Sequence, residues 1–181
     1  MTEIFTGIPA IKDKDLGNNK VFFLPYLMGE RSPINDTDAR GMFIGLSMDT
    51  TRSQIVQAVM EGVAFAIRDS MEIAKSLGIP ITRSGLCGGG AKSPLWRKIL
   101  ADILNIPLDI PQTEEGPGYG AAMLAMVAAG QYPDVETCAK TLVHVLETVY
   151  PHPVTAAKYE EQYQKFRKIY PSVKELFKEI R

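Results

Sequence analysis

With 181 residues, 45% of them apolar and 23% charged, the chain suffices for one domain with a sizeable core and is short for two. Its 20 basic and 21 acidic side chains are interspersed and sum to −1, which excludes a molecule steered by its overall field to nucleic acid or an anionic membrane. Cys87 and Cys138 form no C-x-x-C pair, which argues against zinc and against a disulfide framework.

His144 and His152 stand in unrelated contexts and suggest no catalytic pair. The N-terminus lacks the basic-then-apolar pattern of a signal peptide, and the run of small and apolar residues at 120–130 is about half a membrane span. A reduced, cytoplasmic protein is the expectation.

Residues 1–20 are polar and read as a leader or linker remnant, with the domain proper expected over 21–181. Residues 21–24 form a short apolar run stopped by Pro25, a strand end. From 29 to 41 Gly, Pro, Asn and Asp are dense and no apolar period survives, so the segment reads as a loop. Its Asp36 and Asp38 do not make a calcium loop, because Arg40 occupies the next ligand position and no bidentate Glu follows. Arg31 and Arg40 either pair locally or face a cleft. Residues 42–46 suggest a second strand.

Thr51 opens the clearest helix, because Thr51 and Gln54 have the spacing of a capping box. The stripe expected to be buried is Ile55, Val59, Val63, Ala66, Ser70, Ile73 and Leu77, and Gly78 and Pro80 supply the stop. A strand at 81–87, a glycine turn at 88–90 and a helix at 94–104 follow. Ser93 is the expected cap of that helix, Pro94 suits its first position, and Trp96, Ile99, Leu100, Ile103 and Leu104 form its inner stripe.

Residues 107–111 read as a further strand, 115–118 as a Gly-rich turn, and 119–129 as a helix whose alanines let it pack closely on a sheet. This alternation predicts an α/β domain with parallel strands. The last third reads as helical. Tyr159, Tyr163, Phe166, Tyr170, Val173, Phe177 and Ile180 recur every three or four residues, and Pro171 divides the run into two helices packed on their own domain.

The segment CGGGAKSP (87–94) joins a strand to a capped helix. Three glycines remove every Cβ, so a ligand can approach the backbone, and amides at a helix start suit a phosphate or a polar ring edge. A tight structural turn accounts for the same residues equally well. The segment is not a P-loop, since Ala91 separates Gly90 from Lys92, and Lys92 reads as a solvated side chain. Gly116, Gly118 and Ala121 fit a loose G-x-G-x-x-A pattern, but the acidic residue about twenty positions later that would complete a dinucleotide site is missing.

Longer motifs carry a resemblance. GMFIGL (41–46), seven residues, then QIVQAVME (54–61) is similar to the second signature of the FGGY carbohydrate kinases. FLPYLMGERSP (23–33), EGVAFAIRDS (61–70), GGGAKSPLW (88–96) and YGAA (119–122) most resemble its xylulokinase branch. The resemblance runs from about residue 21 to the end.

It implies a ribonuclease H-like (actin-like ATPase) second lobe: an incomplete sheet flanked by helices, with a helical C-terminal extension. It also implies ATP and Mg2+ in the full-length parent, with phosphoryl transfer to D-xylulose. By this resemblance Gly88, Gly89, Gly90 and Ala91 are nucleotide contacts, and Ser93 stands where related kinases place a polar one. No Asp-x-Gly-Thr run is present, and the family's catalytic aspartate falls before the matched region, so no catalytic residue is assigned.

The sugar is then expected mainly on the other lobe. Strand edges left open by the missing first strands favour pairing with another copy, as a homodimer, or with a partner lobe, and neither nucleic acid nor membrane is an expected partner. A gluconokinase-like member or a non-catalytic actin-fold interaction module are the alternatives.

Overall fold

The computed structural model describes residues 11–113 and 116–180. β1 (Phe22–Leu24) pairs antiparallel with β2 (Met42–Ile44), with Phe23 opposite Phe43. The intervening loop is tied by its own backbone. Glu30 and Asp36 exchange two N–H···O bonds of 2.8 Å, and Arg40 Nη1 donates to the carbonyls of Thr37 (2.9 Å) and Ala39 (2.7 Å).

α1 (Arg52–Ser76) begins with both arms of the capping box: Gln54 N donates to Thr51 Oγ1 and Thr51 N to Gln54 Oε1 (2.8 Å). Its buried face differs from the expected stripe. Gln57, Ala58, Glu61, Gly62, Ala64, Phe65 and Met71 face inward, while Val59, Ile73 and Leu77 are exposed. The helix is apolar on more than one side, so periodicity alone could not choose the inner one. Close approach decides it: a Cβ on Gly62 would stand 2.1 Å from the Phe23 carbonyl oxygen, so only glycine lets α1 lie against β1.

The second sheet has the order β3-β4-β5: β3 (Ser84–Gly85), β4 (Leu108–Pro111) and β5 (Val145–Val149). β3 and β4 are parallel and connected through α2 (Pro94–Leu104), as the strand–helix alternation predicts. β4 and β5 are antiparallel, which corrects the expectation of parallel strands throughout. Asp109 ties the three strands together, accepting from Arg83 Nε (2.7 Å) and Thr148 Oγ1 (2.6 Å).

α3 (Gly116–Ala128) buries none of its residues and packs on α4 (Val135–Leu142), with Tyr119 OH donating to the Leu142 carbonyl (2.8 Å). Among the described residues its main packing is thus on α4 and not, as expected, on the sheet. The last third also holds a strand, β5, where a purely helical tail was expected. α5 (Pro153–Phe166) and α6 (Ile169–Glu179) then separate at Arg167 and Lys168, just before Pro171, and fold back on the domain. Phe65 of α1 meets the rings of Tyr159, Tyr163 and Phe166 of α5 at centroid separations of 5.1–6.2 Å, closing a core completed by Ile99, Leu100 and Ile103 of α2.

The stretch read as a leader is packed in its second half. Leu16 is fully buried, and the carbonyls of Asp15 and Gly17 accept from Gln57 and Gln162. Residues 11–20 therefore contribute to the body of the domain. No helix among the described residues is long and apolar enough to cross a membrane.

Candidate functional site

The turn after β3 is shaped by what stands on each of its sides. Leu86 N donates to the Asp109 carbonyl (2.8 Å), holding the chain on the sheet up to the turn. Gly88 then adopts φ +85°, a left-handed conformation that favours glycine. A single 3-10 turn, Gly89–Lys92, follows, with Ala91 N donating to the Gly88 carbonyl and Ser93 N to the Gly90 carbonyl, both at 3.1 Å. Ser93 Oγ accepts from Trp96 N (3.3 Å) and caps α2, and Pro94 occupies its first position as expected.

The residues singled out in the sequence divide into an open and a packed set. Among the described residues, a Cβ added on Gly88 or Gly89 would meet nothing within 4 Å. A Cβ on Gly90 would lie 3.1 Å from Trp96 Nε1, and Ala91 is buried. The opening amides of such a turn have no partner within it, so the open side offers N–H donors without a side chain in the way. Ser93 spends its oxygen as an acceptor in the cap and keeps its O–H as a donor.

A shallow cavity of about 110 Å³ adjoins the turn, lined among others by Cys87, Gly88, Lys92, Arg97 and Thr113. The start of α3 comes close to the turn: a Cβ on Gly116 would stand 2.5 Å from Cys87 Sγ, so a larger residue there would have to displace that thiol.

Two further polar groups lie elsewhere. Glu61 is buried in the α1–α5 contact, where it accepts from Gln57 Nε2 (2.7 Å) and Tyr159 OH (2.8 Å); burial outweighs these donors and raises its carboxyl to about 7. A larger groove, about 330 Å³, lies between the end of α1 and the α5–α6 junction. Asp69 there is held by Tyr163 OH (2.6 Å), and burial raises its carboxyl above the ordinary range. None of Gly88, Gly89, Gly90, Ala91 and Ser93 lines that groove, whose walls come instead from Ile73 of α1 and from Tyr163, Phe166, Tyr170 and Pro171 of the last two helices. Among the described residues, no group of three His, Cys, Asp or Glu side chains could hold a metal ion.

Sequence reasoning did not find Arg97, whose Nε donates to the Ala91 carbonyl and whose Nη1 pairs with Glu147 Oε2 of β5 (2.7 Å). Once β5 is recognised, the short alternating segment VLETV carries that signal.

A parallel strand leading through a glycine turn into a capped helix, with helices packed around it, makes an α/β lobe. The family model described as "FGGY family of carbohydrate kinases, C-terminal domain" matches residues 10–129, and the chain belongs to this family. A xylulose kinase from Staphylococcus epidermidis is 37% identical over 161 residues, which is 89% of this chain and 32% of that protein.

Among solved structures, gluconate kinase from Lactobacillus acidophilus superposes with a TM-score of 0.81 at 27% identity, covering 92% of this chain and 34% of the other. Xylulose kinase from Rhodospirillum rubrum gives 0.79 at 28%, covering 97% and 34%. The expected ribonuclease H-like, actin-like lobe is therefore the fold. The chain spans about a third of the length of the curated relatives it matches.

Proposed function

We propose that this chain is the nucleotide-side part of a xylulokinase, an enzyme that moves the γ-phosphoryl of ATP to D-xylulose and releases ADP and D-xylulose 5-phosphate. The observation that carries the reading is the empty face above Gly88 and Gly89 at the head of capped α2. Gly88, Gly89, Gly90, Ala91 and Ser93 hold the adenosine side of the nucleotide in this reading. The open glycines admit it to the backbone, and the Ser93 hydroxyl supplies a donor.

Phosphoryl transfer of this kind depends on positioning and charge neutralisation. Mg2+ bound with the nucleotide would neutralise phosphate charge, and none of this chain's residues is assigned to hold it. The base that takes the sugar's proton and most sugar contacts belong to the other lobe, so this chain is expected to be inactive alone. A cytoplasmic location accompanies the reading. Pairing of two copies through the exposed edge strands β3 and β5 belongs to it as well; a clean monomer at high concentration in light scattering would count against that pairing.

Gluconate is the alternative substrate, because the gluconate kinase superposes as well as the xylulose kinase does. The higher identity to the Staphylococcus epidermidis xylulose kinase favours the pentulose. A kinase assay of the complete gene product across D-xylulose, other pentuloses, hexuloses and gluconate decides between them. Preference for D-xylulose is expected; preference for gluconate would replace the substrate, and no turnover of any sugar would leave the non-catalytic interaction module.

A further inference from the structure

The glycine turn is open on one side, and a ligand-binding turn with an empty face needs something on its other side to keep it in place. The turn is a single short 3-10 segment, and three of its residues are glycine, the residue with most conformational freedom to lose. One side chain reaches across. Arg97, in the first turn of α2, donates through Nε to the carbonyl of Ala91, whose own amide is bonded to Gly88. Its Nη1 is in turn held by Glu147 Oε2 at 2.7 Å.

Glu147 stands on β5, opposite Ile110 of β4, so the guanidinium connects the turn, α2 and the far strand of the sheet. A guanidinium can do this because its donors form a rigid planar fork, whereas an ammonium on a flexible stem offers a single point charge. The Arg97 side chain is about a fifth exposed and its bond to Ala91 is partly buried, whereas Glu147 is more than half exposed, so the pair with Glu147 is solvent-accessible.

We propose that Arg97 is a positioning residue for the nucleotide, oriented by Glu147: it fixes the direction of the Ala91 peptide and with it the shape of the glycine turn. This rests on the reading that the 88–93 turn holds the nucleotide. Arg97 acts through Ala91 and has no assigned contact with the reacting atoms.

The test is an amide-resonance titration of the 181-residue chain with ADP, run on the native sequence, Arg97→Lys and Glu147→Gln. In the native chain ADP is expected to shift the amides of residues 88–93. Arg97→Lys keeps the charge and loses the fork; its ADP affinity is expected to fall roughly tenfold, with the thermal midpoint nearly unchanged. Glu147→Gln leaves Arg97 in place and is expected to weaken ADP in the same direction by a smaller factor, which covers the case in which the lysine variant does not fold.

Arg97→Ala rescued by added guanidinium at concentrations below those that unfold the chain would confirm that the fork itself is needed. Native ADP shifts at 88–93 with unchanged affinity in both Arg97→Lys and Glu147→Gln overturns the positioning role and leaves the site intact. ADP shifts located elsewhere in the native chain overturn the site and the positioning role together.

Discussion

Tyr159 of α5 donates a 2.8 Å hydrogen bond to the buried carboxyl of Glu61 on α1, joining two helices whose partners lie 98 residues apart in sequence. Gln57 donates to the same oxygen at 2.7 Å, and its amide also reaches the Asp15 carbonyl at 3.0 Å. The same burial that raises Glu61 drives the Tyr159 hydroxyl far above its usual range, so the tyrosine remains a donor throughout.

Stability should therefore fall as the solution becomes more alkaline. Glu61 titrates near 7 when folded, above the ordinary value of 4.5, so folding favours its protonated form. The contribution is fully present below the unfolded value and is lost as pH rises through about 7. Across that window the slope approaches about −1.4 kcal/mol per pH unit, for a total on the order of 3 kcal/mol. Urea midpoints measured from pH 4.5 to 8 should decline in the native chain and decline much less in Glu61→Gln. Equal slopes in the two proteins would remove Glu61 as the source.

The same substitution should have opposite signs at two helical glycines. Gly62→Ala drives a Cβ to 2.1 Å from the Phe23 carbonyl and should cost about 3 kcal/mol by separating α1 from β1. Gly120→Ala meets nothing within 4 Å in α3 and should stabilise by roughly 0.5–1 kcal/mol through helix propensity. Denaturant melts of both variants check the pair, and comparable losses at the two sites would contradict the packing described for α1.

Ser93→Ala should lower stability by about 1 kcal/mol, because Ser93 Oγ satisfies the Trp96 amide at the start of α2. Ser93→Asp restores an acceptor and should recover most of that loss. Thermal melts distinguish this from a role confined to ligand contact, in which neither variant would move the midpoint.

What the sequence revealed follows from how local each signal is. The Thr51–Gln54 capping box and the Ser93-Pro94 start of α2 depend on neighbours three residues away, and both are present as read. The turn at 88–93 was legible for the same reason. The inner face of α1 was not. It is set by contact with β1, nearly 40 residues earlier, and by a buried Glu61 and Gln57 that polarity alone places outside. β5 was hidden in a tail whose charge and spacing favoured helix, and its antiparallel pairing with β4 depends on a partner some 35 residues upstream. Arg97 could not be recognised as a support for the turn before β5 brought Glu147 beside it.

The claim that the 88–93 turn receives the nucleotide is tested most directly by Gly89→Leu in the complete gene product, read by steady-state kinetics with ATP and D-xylulose. The site has open space at Gly89, so the fold should tolerate the side chain while the nucleotide should not. The KM for ATP should rise about tenfold or more, with the KM for the sugar within about twofold of the native value and the thermal midpoint nearly unchanged. An unaltered KM for ATP in a folded variant would contradict the claim.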